Sequence, residues 1–253
     1  MKATQPRLAA PGGPDSPEAV DAAAASRAGV LYTEKDWNET SAMPAQAYWC
    51  SKVQAEREAW RVAEAHGLDV ATILPNFVLG PIALEGGKAS AEGSVSVGFM
   101  KKFVEASADA PPPPGYWTVC DVRDVAEAHW RAAEAEDAVA KGQRFIVSQP
   151  RAVDARFFTD ALKKRFPAAA APLPDGAESD EARAGGPSGD QGLRLVDGTK
   201  ACRALGLVYT DPADTVADMA ASMLSKGVAR AAWFERGGAV GGEEGEKAAA
   251  AAE

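Results

Sequence analysis

The chain has 253 residues, 46% hydrophobic and 25% charged, with a formal net charge of −9. These proportions exclude wholesale disorder. No apolar run reaches the roughly 18 residues of a membrane span, and the negative balance argues against a nucleic-acid binder that relies on a broad basic face.

Three cysteines (Cys50, Cys120, Cys202) and two histidines (His66, His129) are too few and too scattered for a disulfide framework or a metal centre. A reducing, cytoplasmic setting is the expectation.

Residues 1–30 read as an irregular N-terminus punctuated by Pro and Gly, with a short Ala-rich helix around 17–27. Asp15, Glu18 and Asp21 argue against an acid-poor transit peptide. Order is expected over 31–166 and again over 193–227. The run from Ala45 to His66 predicts a strong helix, with Pro44 suited to its first turn and Gly67 to its stop. Val53, Trp60 and Ala63 supply an apolar stripe. DVATILP (69–75) predicts a buried strand, 95–107 a helix, PPPP (111–114) an extended connector and YWTVCDV (116–122) a strand.

Asp121 suits the cap of the helix that follows. QRFIVS (143–148) predicts a strand and Asp154 to Phe166 a helix. Residues 167–192 read as an acidic disordered linker, where five acids against one Arg carry −4 of the net charge. Two short helices follow LRLVD (193–197), and 228–253 reads as a disordered tail.

The pair that carries chemistry is Tyr48 and Lys52, at i and i+4 on one helix face. A phenol with a pKa near 10 is a poor acid–base catalyst at neutral pH, and a nearby ammonium favours its phenolate. Such a pair can pass a proton to a carbonyl oxygen while hydride moves at the carbon. The plainer reading is a half-buried Tyr beside a solvated Lys. Cys50 lies between them, on the other side of the helix. Asp124 and His129 are expected to satisfy local hydrogen bonds, and Trp49, Trp60 and Trp130 to serve packing.

Five stretches in order resemble the extended short-chain dehydrogenase/reductases of the NAD-dependent epimerase/dehydratase superfamily. The branch is that of dihydroflavonol reductase and cinnamoyl-CoA reductase. They are YTEKDWNE (32–39), YWCSK with AEREAW, ILPNFVLGP (73–81), WTVCDVRDVAEAH (117–129), and an end comprising LKKRFP (162–167), the Lys200–Ala201…LGL stretch and LSKG. The resemblance implies an α/β fold, the C-terminal portion of an NAD(P)-binding Rossmann-type domain with its substrate-side lobe.

It further implies a reductase acting on a small-molecule ketone, aldehyde or acyl-CoA thioester with NADP, or NAD. Tyr48 would be the catalytic acid, and Lys52 would favour its phenolate and hold the nicotinamide ribose. Pro75, Asn76, Phe77 and Val78 would line the nicotinamide. The loop after Gly80–Pro81 and the segment from Ser94 to Met100 would border the substrate.

No strand, glycine-rich turn and helix of the pyrophosphate-binding kind precede Tyr48. The family's catalytic Ser has only Ser26 as a weak candidate. The sequence therefore reads as the C-terminal two-thirds of a reductase, in which strands 69–75 and 143–148 would lose their neighbours. The alternative is a catalytically dead pseudoenzyme or interaction module without cofactor binding. Nothing in the sequence indicates an oligomeric state.

Overall fold

The computed structural model describes residues 31–83, 93–176 and 196–236. The Ala-rich stretch at 17–27, Ser26, most of the acidic segment and the chain beyond 236 lie outside them.

Helix α1 (Ala47–His66) is built from Ala, Glu, Gln, Arg and Lys, all good helix formers. Gly67 stops it in the left-handed region at φ 64°, its N–H returning to the Ala63 carbonyl. Of the expected apolar stripe only Ala63 is buried, while Val53 and Trp60 are half-buried. So α1 lies on the molecule with little apolar anchorage.

The chain then turns back into β1 (Thr72–Pro75), which pairs in parallel with β5 (Arg144–Val147). Thr72 N–H donates to the Gln143 carbonyl and Asn76 N–H to that of Val147. One residue later the partner changes, for Phe77 N–H donates to the Thr118 carbonyl. Strand β2 (Phe77–Leu79) continues beside β4 (Val119–Asp121), again in parallel. Alternate residues of a strand direct their peptide groups to opposite sides. One extended segment can therefore serve two neighbours, and Asn76 stands where they diverge.

The strands at 72–75 and 144–147 are thus each other's neighbours. The outer edge of β5 is closed by side chains. Ile146 N–H donates to a Glu34 carboxylate oxygen, Ser148 N–H to the Tyr209 hydroxyl, and Lys200 Nζ donates to the Arg144 carbonyl.

The predicted strand at 116–122 is divided at Thr118. Its first part, β3 (Tyr116–Trp117), pairs antiparallel with β6 (Val153–Asp154), and its second part is β4. Helix α2 (Val95–Val104) precedes them. Helix α3 (Val122–Glu134) starts from an Asp121 cap, and the short α4 (Asp137–Ala140) leads to β5. Helix α5 (Ala155–Arg165) starts from an Asp154 cap. Helices α6 (Thr199–Leu205), α7 (Pro212–Ser225) and α8 (Ala232–Arg236) complete the described chain.

Two apolar clusters form the core. The larger joins Phe77, Leu79, Met100, Phe103, Trp117 and Phe158 to the α7 face of Val216, Met219, Ala220 and Met223. Those α7 residues recur at helical spacing, which is why one face buries them. The Phe103 and Phe158 rings stack at 4.7 Å between centroids, and Trp117 meets Phe158 edge-on at 5.6 Å. The smaller cluster joins Cys120, Ala128, Phe145, Val147, Ala201, Leu205 and Leu207.

Two boundaries read from composition are corrected. The first residues of the expected linker are folded: Pro167–Ala169 form a 3-10 turn, and Leu173 is buried. The start of the expected tail is folded too. Val228, Ala229, Ala231 and Trp233 are buried, and Trp233 Nε1 donates to the Val104 carbonyl. Low complexity misled because a few apolar residues among Ala and Pro suffice to seat a segment on an existing core.

Candidate functional site

Tyr48 stands in the first turn of α1 and is 60% exposed. Lys52, one turn on, places Nζ 5.3 Å from the Tyr48 ring centroid. Trp49 meets the Tyr48 ring edge-on at 4.8 Å. Cys50 turns elsewhere, its Sγ 3.7 Å from the Ser41 carbonyl oxygen.

What fixes α1 is polar. Glu56 takes Arg144 in a bidentate pair, Nε to Oε1 at 2.7 Å and the second nitrogen to Oε2 at 3.0 Å. Both side chains are nearly buried, at 12% and 13% exposed. The Thr72 hydroxyl donates to Glu56 Oε1 as well. Arg144 also donates to the Glu34 and Asp36 carbonyls, and its guanidinium lies 4.0 Å from the Trp37 ring centroid. The acidic segment 32–39 is thereby wedged between α1 and the edge of β5.

This contact relates Tyr48 to the strands. The chain runs back along α1 to reach Thr72 beside Glu56. From Glu56, eight residues toward the helix start rise about 12 Å. From Thr72, four residues up the strand rise about 13 Å. From the Glu56–Arg144 pair, the start of α1 and the carboxyl end of β1 therefore lie in the same direction, toward Tyr48 on the helix and Asn76 on the strand. In open α/β sheets the carboxyl end is where nucleotide ligands bind.

The predicted cofactor residues of this extended segment differ in exposure. Pro75 is exposed, Asn76 and Val78 are half-buried, and Phe77 is buried with its ring 4.8 Å from that of Phe99. Asn76 Nδ2 contacts Thr118 Oγ1 and lies 3.5 Å from Ser148 Oγ. Ser148 spends its own proton on the Gln149 carbonyl at 3.1 Å, so its oxygen accepts from Asn76. That assignment leaves Asn76 Oδ1 as an acceptor for a ligand. Thr118 and Ser148, both buried, had no motif to reveal them.

The segment expected to border the substrate is split between roles. Ser94 caps α2, accepting from Val97 N–H at 3.4 Å, and Met100 is fully buried. Gly80 adopts φ 131°, and a Cβ there would lie 2.8 Å from Val122 Cγ1 and 3.1 Å from Asp121 Oδ1. Its N–H points to Met219 Sδ at 3.4 Å.

Asp121 caps α3 through Arg123 N–H at 2.8 Å and pairs with the Arg123 guanidinium, which also reaches Asp218. Burial alone would raise the Asp121 carboxyl. The Arg123 guanidinium and N–H, with the Thr215 hydroxyl, outweigh it and hold the carboxyl below the usual range.

Asp124 corrects the expectation of local bonding. It accepts from Thr210 N–H at 3.0 Å and from the Thr210 hydroxyl at 2.7 Å, tying α3 to a segment 86 residues away. Burial pushes its carboxyl up. His129 is local as expected, Nδ1 lying 2.7 Å from the Val125 carbonyl oxygen. Trp130, expected to pack, is 64% exposed. Burial pushes the Cys120 thiol up to about 12.

Among the described residues no group of three or more His, Cys, Asp or Glu could hold a metal ion, and no helix is long and apolar enough to cross a membrane.

Comparison with known proteins matches this frame. The NADPH-dependent methylglyoxal reductase Gre2 of Saccharomyces cerevisiae is 26% identical over 204 residues, 77% of this chain and 57% of that protein. An anthocyanidin reductase of Vitis vinifera is 29% identical over 116 residues, 44% of this chain and 34% of that protein. The crystal structure of Gre2 from Candida albicans in complex with NADPH aligns at 27% identity with a TM-score of 0.65, covering 78% of this chain and 58% of that one. The chain thus spans under three-fifths of the length of such relatives. The family model for the NAD dependent epimerase/dehydratase family matches residues 22–148, half of the chain. With its parallel strands, its Rossmann-like α/β neighbours and these relatives, the chain belongs to the NAD dependent epimerase/dehydratase family.

Proposed function

We propose that this protein reduces a carbonyl substrate (a ketone, an aldehyde or an acyl-CoA thioester) with NADPH, Tyr48 supplying the proton. One observation carries the reading. A solvent-facing phenol with an ammonium 5.3 Å from its ring sits on a helix tied by the bidentate Glu56–Arg144 pair to one of two paired parallel strands. The NADPH named for the methylglyoxal reductase relative and held in the aligned crystal structure supports the choice of cofactor.

The residues present fit a nicotinamide nucleotide: an acceptor at Asn76 Oδ1, an exposed Pro75, and a cation at Lys52. When bound, the cofactor supplies hydride. In this scheme the Tyr48 hydroxyl donates its proton to the carbonyl oxygen as charge develops there. Lys52 favours the phenolate left behind and holds the ribose hydroxyls. Asn76 orients the nicotinamide edge through Oδ1. Phe77 and Val78 contribute backbone, the Phe77 side chain being committed to the core.

Tyr48→Phe tests this. General acid catalysis is worth about 10²–10⁴-fold, so NADPH oxidation with an α-ketoaldehyde or flavonoid ketone should fall by at least about 10²-fold. The thermal midpoint should not change, because the hydroxyl has no buried role. Turnover within twofold of the parent would sink the proposal.

A further inference from the structure

The Tyr48–Lys52 pair rides on a helix that buries only Ala63, so apolar packing does little to fix how α1 is rolled about its axis. The strongest link between α1 and the sheet is the Glu56–Arg144 pair. Glu56 lies one turn beyond Lys52 and two beyond Tyr48, close to the same face.

Arg144 is itself immobilised from three sides. Its own backbone is a ladder residue of β5 opposite Thr72. Its guanidinium donates to the Glu34 and Asp36 carbonyls and lies on the Trp37 ring. Arg57 of α1 approaches that same ring, 5.5 Å from its centroid. The fork geometry of a guanidinium fixes a carboxylate in direction as well as distance, which an ammonium cannot do. The grip on Glu56 is therefore directional, and the acidic segment 32–39 is its backing.

Resting on the carbonyl-reductase reading above, we propose that Arg144 is a positioning residue: by clamping Glu56 it sets the roll of α1 and so aims Tyr48, with Lys52 beside it, at the bound carbonyl. Tyr48 and Lys52 share one helix, so their mutual geometry survives loss of the clamp. What changes is the aim of both toward the strand ends. A misplacement near 1 Å costs about 10²-fold in rate. Binding of substrate and nucleotide draws on the extended 75–78 segment as well and should suffer less.

The test uses the full 253-residue chain, with NADPH and the carbonyl substrate that the parent turns over. Arg144→Met should lower kcat by about 10²-fold while KM for both substrates stays within about threefold. Arg144→Lys, which keeps charge but loses the fork, should fall between it and the parent. Arg131→Met is the matched control. It removes another inter-element guanidinium, one that donates to the Leu205 and Gly206 carbonyls, and should leave kcat within about twofold. If Arg144→Met does not fold, Glu56→Gln replaces it, keeping size and an acceptor, with an expected kcat loss of about tenfold. Amide exchange adds a readout independent of turnover: α1 amides should lose protection in Arg144→Met while α7 amides keep theirs.

A folded Arg144→Met, or Glu56→Gln in its place, with kcat within twofold of the parent overturns the positioning role and leaves the reductase reading intact. Equal kcat loss in Arg131→Met would do the same, by showing a general loss of stability. A parent chain without NADPH-dependent turnover would defeat the reductase reading itself, and the positioning role with it.

Discussion

Gly80→Ala is the sharpest stability test of the turn that follows β2. Two costs add. At φ 131° an L residue is strained, worth about 1–3 kcal/mol. The new Cβ would also lie 2.8 Å from Val122 Cγ1 and 3.2 Å from Val122 N, the latter backbone at the start of α3. Valine in a helix has little rotamer freedom with which to retreat, and such overpacking costs about 1–3 kcal/mol. The sum is roughly 2–6 kcal/mol.

Two other glycines separate the terms. Gly67 has φ 64° with nothing within 4 Å of its would-be Cβ, so Gly67→Ala carries only the left-handed cost of about 1–2 kcal/mol. Gly98 sits inside α2 with the same free space, so Gly98→Ala should stabilise by about 0.5–1 kcal/mol. Urea unfolding of the three variants at one pH gives the comparison. If Gly80→Ala costs no more than Gly67→Ala, the close approach of the 79–81 turn to α3 is wrong. The seat of the neighbouring 75–78 residues would then need redrawing.

Two further outcomes are expected. The folded pKa of Asp121 lies below its unfolded value near 3.9, so its contribution is present above about pH 4 and is lost as pH falls through the folded value. Asp124, raised by burial, works with the opposite sign, contributing below its unfolded value and losing that as pH rises through the folded one. Asp121→Asn keeps the cap but loses the charge-assisted bonds from Arg123, so it should cost about 1.5–3 kcal/mol at pH 7 and flatten the acid limb of the stability curve; an unchanged limb in urea titrations from pH 2 to 6 would refute the assignment. Cys120, fully buried with its thiol pushed up to about 12, should stay unlabelled by iodoacetamide in the native chain at pH 8 and label only in urea. Mass spectrometry showing Cys120 labelled as fast as Cys50 would contradict the packing of β4.

Much of the local structure was legible because it follows from short-range chemistry. Gly67 stops α1, Asp121 caps the helix that follows it, and Tyr48 and Lys52 share a face, as sequence spacing alone requires. The resemblance of 32–39 to an acidic segment with a Trp could be read from the residues as well. Its purpose could not: Trp37 and the Glu34 carbonyl matter because Arg144, 110 residues from Glu34, lies between them and Glu56. Asp124 departs from the local bonding expected of it for the same reason, since its partner Thr210 is far along the chain. Trp130 is exposed rather than packed because an indole on an amphipathic helix can fall outside the apolar stripe. The ends of the folded body were misjudged because composition weighs neighbours in sequence, whereas Leu173 and Trp233 are buried by neighbours in space.

The sequence by itself therefore determined the longer helices, the Gly67 stop and the Asp121 cap, and that Tyr48 and Lys52 lie on one helix face. Tertiary structure alone decided that one extended segment serves two neighbours and divides at Asn76, that Thr118 and Ser148 turn the Asn76 amide, and that α1 is held by a guanidinium rather than by apolar packing. The physical reason is range. Propensity, capping and helical phase act within a few residues, while a ladder register or a bidentate ion pair joins groups whose separation in the chain carries no trace of their contact.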